Sequence, residues 1–430
     1  MNIRASDVFG IRTTVSEYSY IDRGNLDKSV RELADRDQHI ALKGESKSGK
    51  SWLRQRIFTE ANVIQCRIND TVADIYKQIL ANLNISVVTE TSTSKTGTIS
   101  FEGTAEIGWK FLAKAAGTLA ADGEYTKERI VRPIGRDEMD IEFISQLILS
   151  SERKLVIEDF HYLSTAAQRQ LAHELKTLWD YKVYAVIVGV WHRKNYLTYL
   201  NSDLAGRITE VGVEWSESEL IDSFQKGCAA LNIWVDPTLT TRAAQDSYNN
   251  VGILQSLALL FLDACQITEK QNTTVELLEK GKLDDAGMAY AEQLEAVYSL
   301  FAERVSEGIR KRKDATQIYA FALWTILGSS DEEAKNGLTV DWIYERAHSR
   351  QSRIQKPNLR AVLRKFKELQ VDDRGKGIVL SYDEANDTVL LIDKGVLFYR
   401  KYTTQVWPWE RIAMEAKEKD VGISDDPEAA

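Results

Sequence analysis

The residues Gly44-Glu45-Ser46-Lys47-Ser48-Gly49-Lys50-Ser51 complete the pattern G-x-x-x-x-G-K-[ST]. This pattern suits anion binding. Its glycines let successive backbone N–H groups turn inward on a phosphate, and a helix starting near Lys50 aims its positive end at the same place. Lys50 would reach the β and γ phosphates of a nucleotide, the Ser51 hydroxyl would complete a magnesium shell, and Trp52 follows directly. Such a site also needs an acidic anchor for the metal and a base for the attacking water. The run Leu155-Val156-Ile157 ending in Glu158-Asp159 supplies both. Position gives Glu158 the metal, directly or through water, and gives Asp159 the lytic water. The longer acid comes first, the reverse of the usual order, so hydrolysis is slow or the two roles are exchanged. The alternative is a solvated turn after a core strand.

These groups must be positioned by a strand, a loop and a helix in that order. His39-Ile40-Ala41-Leu42 is a short apolar run before the loop, and a helical pattern follows it through Phe58. Further strand-like runs lie at 63–66, 155–157, 183–190 and 208–213, and helical patterns at 22–34, 72–83 and 166–178. Strands alternating with helices predict a parallel five-stranded α/β sheet. After Trp215 the periodicity predicts helices only, at 220–231, 239–248, 253–265 and 286–305. Beyond the basic cluster Arg310-Lys311-Arg312-Lys313, three more helices are predicted at 316–327, 340–347 and 357–369. A hairpin follows, with strands at 377–382 and 388–392 around Asp383-Glu384-Ala385-Asn386-Asp387.

An insert at about 91–137 breaks the alternation. From Ile99, apolar or small residues (Phe101, Gly103, Ala105, Ile107, Trp109, Phe111) alternate with Ser100, Glu102, Thr104, Glu106, Gly108 and Lys110. Period two implies a strand or bent hairpin with one greasy face, covered by its own sheet or by another subunit.

Composition sets the frame. The chain has 430 residues, enough for about three domains, with 43% apolar and 28% charged residues, a soluble globular balance. No apolar run reaches the eighteen or so residues that cross a bilayer, and the opening MNIRASD is polar, so a cytosolic protein with no membrane partner is expected. A net charge of −9 means that any nucleic-acid contact must come from a local patch. Cys66, Cys228 and Cys265 lie far apart and the five histidines show no metal-ligand spacing, which excludes a disulfide framework and a zinc site.

Together these motifs resemble AAA+ P-loop ATPases, in the style of the origin-recognition and replication-initiator branch and of STAND-type switch ATPases. The resemblance implies ATP and Mg2+ as cofactors, slow or ordinary ATP hydrolysis, and a homo-oligomer. It places His192, after the fourth strand, where a polar residue senses the γ-phosphate. Arg207 stands where an arginine reaches into a neighbouring subunit's nucleotide. Tyr20 and Ile21 match the stretch that packs on adenine. Two departures concern the lid: Leu254 stands near the position of the family's sensing arginine, and no proline provides the STAND alternative. The implied organisation is a 1–37 segment contributing to the nucleotide site and a 38–214 core. A 215–310 helical lid, a 311–405 winged helix-turn-helix domain and a 406–430 acidic, disordered tail follow.

In that last domain Arg346, Arg350, Arg353, Lys356, Arg360, Arg364, Lys365 and Lys367 occur with no acid between Ala347 and Lys367. The DNA-binding candidates are Arg353, Lys356, Arg360, Arg364, Lys365 and Lys367. The competing reading is a solvated helix face or a protein interface, around a core of Leu359, Val362, Leu363 and Phe366. No nuclease, TIR or protease signature is present. The alternative function is therefore a bacterial antiviral-defence switch that recognises a protein trigger and controls a separately encoded effector.

Overall fold

The computed structural model describes residues 3–83, 86–88, 98–100, 141–191, 193–308, 317–370, 378–384, 386–407 and 409–411. Most of the insert, His192 and the acidic tail lie outside them. The chain forms two compact units. One comprises Asp22–Glu214 with Thr13–Val15, and the other comprises Trp215–Ala430 with Met1–Arg12 and Ser16–Ile21.

The first unit is built on five parallel strands, β1 (His39–Lys43), β2 (Ala61–Gln65), β5 (Lys154–Glu158), β6 (Val186–Gly189) and β7 (Ile208–Gly212). Between β2 and β5 the short strands β3 (Ser86–Val88) and β4 (Thr98–Ser100) pair antiparallel, and the period-two stretch from Ile99 continues out of β4 beyond the described residues. The sheet order is β2-β5-β6-β1-β7, so β6 separates the strand before the glycine-rich loop from the strand that ends in the two acids. Alternate residues feed the two faces. Ala41, Ile157 and Ile187 meet Ile75, Ile144, Leu171 and Leu175 of three helices on one face. On the other, Ile40, Leu42, Val156 and Val186 meet Val30 and Leu53. Helices on both faces explain why these strands read as continuous apolar runs. A helix at Ile141–Ser150, which the sequence reading leaves unassigned, covers part of the first face.

In the second unit the expectation of helices alone after Trp215 is not met. β8 (Ile233–Val235) and β9 (Val275–Leu277) form a parallel pair. Three residues each are too few for period two to stand out. The main helices are Glu217–Ala230, Pro237–Asp246, Val251–Ala264 and Lys280–Glu307, followed by Ile318–Leu327, Val340–Arg350, Lys356–Gln370 and Gly395–Tyr402. A small antiparallel sheet runs β10 (Leu338–Thr339), β12 (Thr388–Leu391), β11 (Leu380–Asp383). A large apolar core links the described helices of this unit, including Phe9, Phe224, Phe261, Tyr298, Leu323, Leu363 and Phe398. A polar knot crosses it, with the Tyr402 hydroxyl (2.5 Å) and the Lys401 ammonium both donating to the buried Asp246 carboxylate.

His39 ties β1 into the first unit's interior. Its Nδ1 accepts from the Ala185 N–H (3.0 Å) and its Nε2 donates to the Leu175 carbonyl (2.8 Å), which fixes a neutral ring. Burial drives its pKa from 6.5 to about 4, against the raising effect of the Leu175 hydrogen bond and with help from the Lys154 charge. Between those values the unfolded chain takes up a proton that the folded ring refuses. Stability present above pH 6.5 is therefore lost as pH falls toward about 4, a contribution on the order of 3 kcal/mol. His39→Gln should flatten the pH dependence of urea unfolding across this window. An unaltered slope would show that another group governs it.

Candidate functional site

Parallel strands place their carboxyl ends along one edge of the sheet, and the glycine-rich loop and the acidic pair both lie there. β1 runs into Gly44, where a Cβ would stand 2.7 Å from both Ser48 Oγ and the Val213 carbonyl oxygen. Only glycine fits without displacing backbone. Lys47 (φ 61°) and Gly49 (φ 86°) take left-handed conformations that turn the loop into the helix Lys50–Ile57. No side chain caps that helix, so its first N–H groups remain available to an anion. Ser46 lies within the loop, and Trp52 lies in the helix's first turn.

Lys50 is 8% exposed and folds back over the loop. Its ammonium donates to the carbonyls of Gly44 (3.0 Å) and Glu45 (2.5 Å), with Ser48 Oγ at 3.4 Å. Burial lowers its pKa to about 8, partly offset by the carboxylates of Asp159, Glu45 and Glu158. Behind the loop, the buried Arg23 donates through Nη1 to the Ser48 carbonyl (3.4 Å) and the Glu214 carbonyl (3.5 Å). Sequence reasoning places Arg23 only at the end of the stretch 18–23 matched to adenine packing and gives it no role of its own.

Glu158, the last residue of β5, is held by Arg54 from the helix after the loop. Arg54 Nε (2.8 Å) and Nη2 (2.7 Å) both grip Oε1, while Oε2 lies 3.4 Å from Ser51 Oγ. One oxygen is thus fully engaged and the other is turned to the serine. Asp159 follows in a left-handed conformation (φ 57°), and the Gln65 amide donates to its carboxylate. A single turn, Phe160–Tyr162, comes next, carrying His161. Burial, and then the Lys50 charge, push the His161 pKa down to about 4, so the ring is neutral at ordinary pH.

β6 ends at Gly189, and the loop after it is fastened by Glu210 of β7. That carboxylate accepts from the indole of Trp191 (2.9 Å) and the N–H of Asn195 (3.2 Å), and pairs with Lys43 (2.7 Å) at the end of β1. His192 lies within this loop but outside the described residues. Neither Glu210 nor Arg54 was singled out from sequence. An acid inside the apolar run 208–213 is the signal that points to Glu210; a lone arginine on a helix gives none.

The other expected site residues lie elsewhere. Arg207 precedes β7, at the opposite edge of the sheet from the loop. Its Nη1 donates to the Asp203 carbonyl (2.5 Å) and its guanidinium lies 4.7 Å from the Trp179 ring. Tyr20 and Ile21 belong to the second unit, where Tyr20 is buried and its carbonyl accepts from Lys226 (2.5 Å). Also in that unit, the helix Lys356–Gln370 buries Leu359, Val362, Leu363 and Phe366. Its cations meet acids from other segments. Lys356 pairs with Asp341, Arg360 Nε donates to both oxygens of Asp387 (3.1 Å each), and Arg364 Nε donates to Glu384 (2.9 Å). Arg353 and Lys365 are exposed, and the Lys367 side chain is outside the described residues.

No protein-family model matches the chain, and no curated protein matches it. Among solved structures, a Walker-type ATPase of Pyrococcus abyssi superposes with a TM-score of 0.51 at 14% identity, over 92% of this chain and 99% of the other. The chain shares the fold of that ATPase. Weaker likenesses are to Orc1 of Aeropyrum pernix in complex with DNA (TM-score 0.37, 12% identity, 87% and 90% covered) and Cdc6p of Pyrobaculum aerophilum (0.39, 10%, 98% and 99%). In this ATPase fold the buried Arg54–Glu158 pair joins the loop's helix to the acidic strand. Urea unfolding of Arg54→Met, Glu158→Gln and the double variant should give a coupling energy on the order of 3 kcal/mol. A value under about 1 kcal/mol would mean that the pair behaves like a solvated surface contact.

Proposed function

We propose that the chain binds ATP with Mg2+ at Gly44–Ser51, hydrolyses it, and uses the bound state to control self-assembly and engagement of DNA. The observation that carries this reading is the buried Lys50 ammonium, satisfied only by loop carbonyls and a hydroxyl in its direct contacts and seated beside an uncapped helix start. A triphosphate tail gives that charge an anionic partner.

The residues present suit a magnesium ion that arrives with phosphate. Among the described residues no group of three His, Cys, Asp or Glu side chains could hold a metal ion. One hydroxyl (Ser51) and one carboxylate oxygen (Glu158 Oε2) do face each other, and Mg2+ takes few protein ligands when phosphate oxygens complete its shell. When bound, the ion neutralises charge on the phosphate oxygens. Asp159, oriented by Gln65, accepts a hydrogen bond from the attacking water. Lys50 leaves its carbonyl contacts to meet the β and γ phosphates. Arg207 lies at the far edge of the sheet from this chain's own loop, so its action belongs on a neighbour's nucleotide in a homo-oligomer.

Within the second unit, residues 215–310 serve as the lid and 311–405 as a winged helix whose third helix, Lys356–Gln370, faces DNA. A second reading has its own support. Lys356, Arg360 and Arg364 are already paired with Asp341, Asp387 and Glu384, which lessens the charge offered to phosphates. That favours a STAND-like switch in bacterial antiviral defence, whose winged domain meets a protein trigger or a separately encoded effector. The absence of any helix long and apolar enough to cross a membrane, among the described residues, fits a cytoplasmic site for either reading.

Lys50→Ala should abolish ATP binding in calorimetry and nucleotide-dependent assembly by light scattering; retention of both would refute the phosphate site. For DNA, replacing Arg364 and Lys365 with Glu should weaken affinity at least tenfold and flatten its salt dependence. Wild-type protein that binds no form of DNA would instead support the switch.

A further inference from the structure

The turn after the acidic strand carries a group that neither the sequence reading nor the phosphate chemistry accounts for. His161 Nδ1 is buried and has no hydrogen-bond partner among the described residues. An orphaned buried nitrogen costs about 1–3 kcal/mol, and where a fold tolerates one, a ligand or an ordered water commonly completes it.

The turn that carries the ring is held in place from several sides. Tyr162 N–H donates to the Asp159 carbonyl (2.9 Å), closing the turn, and the Gln168 amide donates to the Leu163 carbonyl (2.9 Å) just beyond it. Phe160, fully buried, meets Trp191 edge-on at 6.1 Å. Gly189, at the end of β6, brings its Cβ position to 3.5 Å from His161 N, so the turn lies against the carboxyl ends of both β5 and β6. The imidazole packs on Tyr162 at 4.3 Å and feels the Lys50 charge. The turn therefore sets the imidazole at the sheet edge that also carries Lys50 and Asp159, as a neutral ring with one N–H to give.

We infer that His161 is a further catalytic residue whose Nδ1–H donates a hydrogen bond to the terminal phosphoryl group of the nucleotide held by Gly44–Ser51. This rests on the phosphate-site reading proposed above and adds a specificity to it, since a diphosphate lacks the group contacted. The contact makes the site favour triphosphate over diphosphate by more than charge alone provides. It also links the terminal phosphate to the turn that Phe160 packs against Trp191.

The test compares binding of a non-hydrolysable ATP analogue and of ADP, each with Mg2+, by calorimetry on the full chain. His161→Ala should weaken the ATP analogue about tenfold and leave ADP affinity unchanged. His161→Asn, whose amide nitrogen can occupy the place of Nδ1, should restore much of the lost affinity, whereas His161→Gln should not. Equal weakening of both nucleotides by Ala, or no change in either, would overturn the assignment, as would Gln rescuing better than Asn. Should Ala fail to fold, the Asn and Gln pair alone decides by the same ordering. Wild-type protein that binds neither nucleotide would overturn the phosphate site itself, whereas wild-type binding with no selective loss in the variants overturns only the role of His161.

Discussion

A positive charge taken out of water without a carboxylate in contact is the constraint around which the first unit is arranged. Burying an ammonium costs several kcal/mol unless its donors are satisfied, and Lys50 meets that cost with the carbonyls of Gly44 and Glu45. Those carbonyls can converge only because the loop folds tightly, and it folds tightly because Gly44 leaves room for Ser48 and the Val213 carbonyl. One acid of the site is held by a cation other than the lysine. Arg54 engages Glu158 through one oxygen, so cation and anion remain separately usable across the site.

That arrangement was legible in sequence to the extent that backbone geometry writes itself into residue type. The loop could be read because glycine and lysine at fixed spacing have few other uses, and β1 and β5 because strands covered on both faces are apolar throughout. Arg54 and Arg23 could not be read in the same way, and the partner of Glu210 could not, although the acid's own place inside an apolar run marks it. Each acts through a partner distant along the chain, Glu158, the Ser48 carbonyl and Lys43, and no local period marks such a pair. The short strands β8 and β9 escaped for a different reason: three residues hold barely one alternation, so the flanking helices dominate the pattern.

The basic stretch of the second unit shows the limit of counting charge along a chain. Between Ala347 and Lys367 no acid intervenes, yet three of the cations are matched by Asp341, Glu384 and Asp387 from outside that window. The pairs are largely exposed and individually weak, so phosphates at high local density could compete for the arginines. What the pairs change is the baseline. A partner must displace a carboxylate at each position rather than meet a bare cation, which favours ligands that bring several anionic groups at a fixed spacing.

The proposed homo-oligomer would give the placement of Arg207 a use. A parallel sheet has a chemical edge and an opposite edge, and an arginine just before β7 is on the wrong one to serve its own phosphate loop. Held by the Asp203 carbonyl and set against Trp179, with its Nε buried and lacking a hydrogen-bond partner among the described residues, it is positioned there by packing rather than by an ion pair. A guanidinium left without a carboxylate keeps its full charge for an incoming anion. If that anion is a neighbour's nucleotide, assembly and phosphate chemistry become one equilibrium, because the subunit contact then forms fully only when the triphosphate is present to receive it.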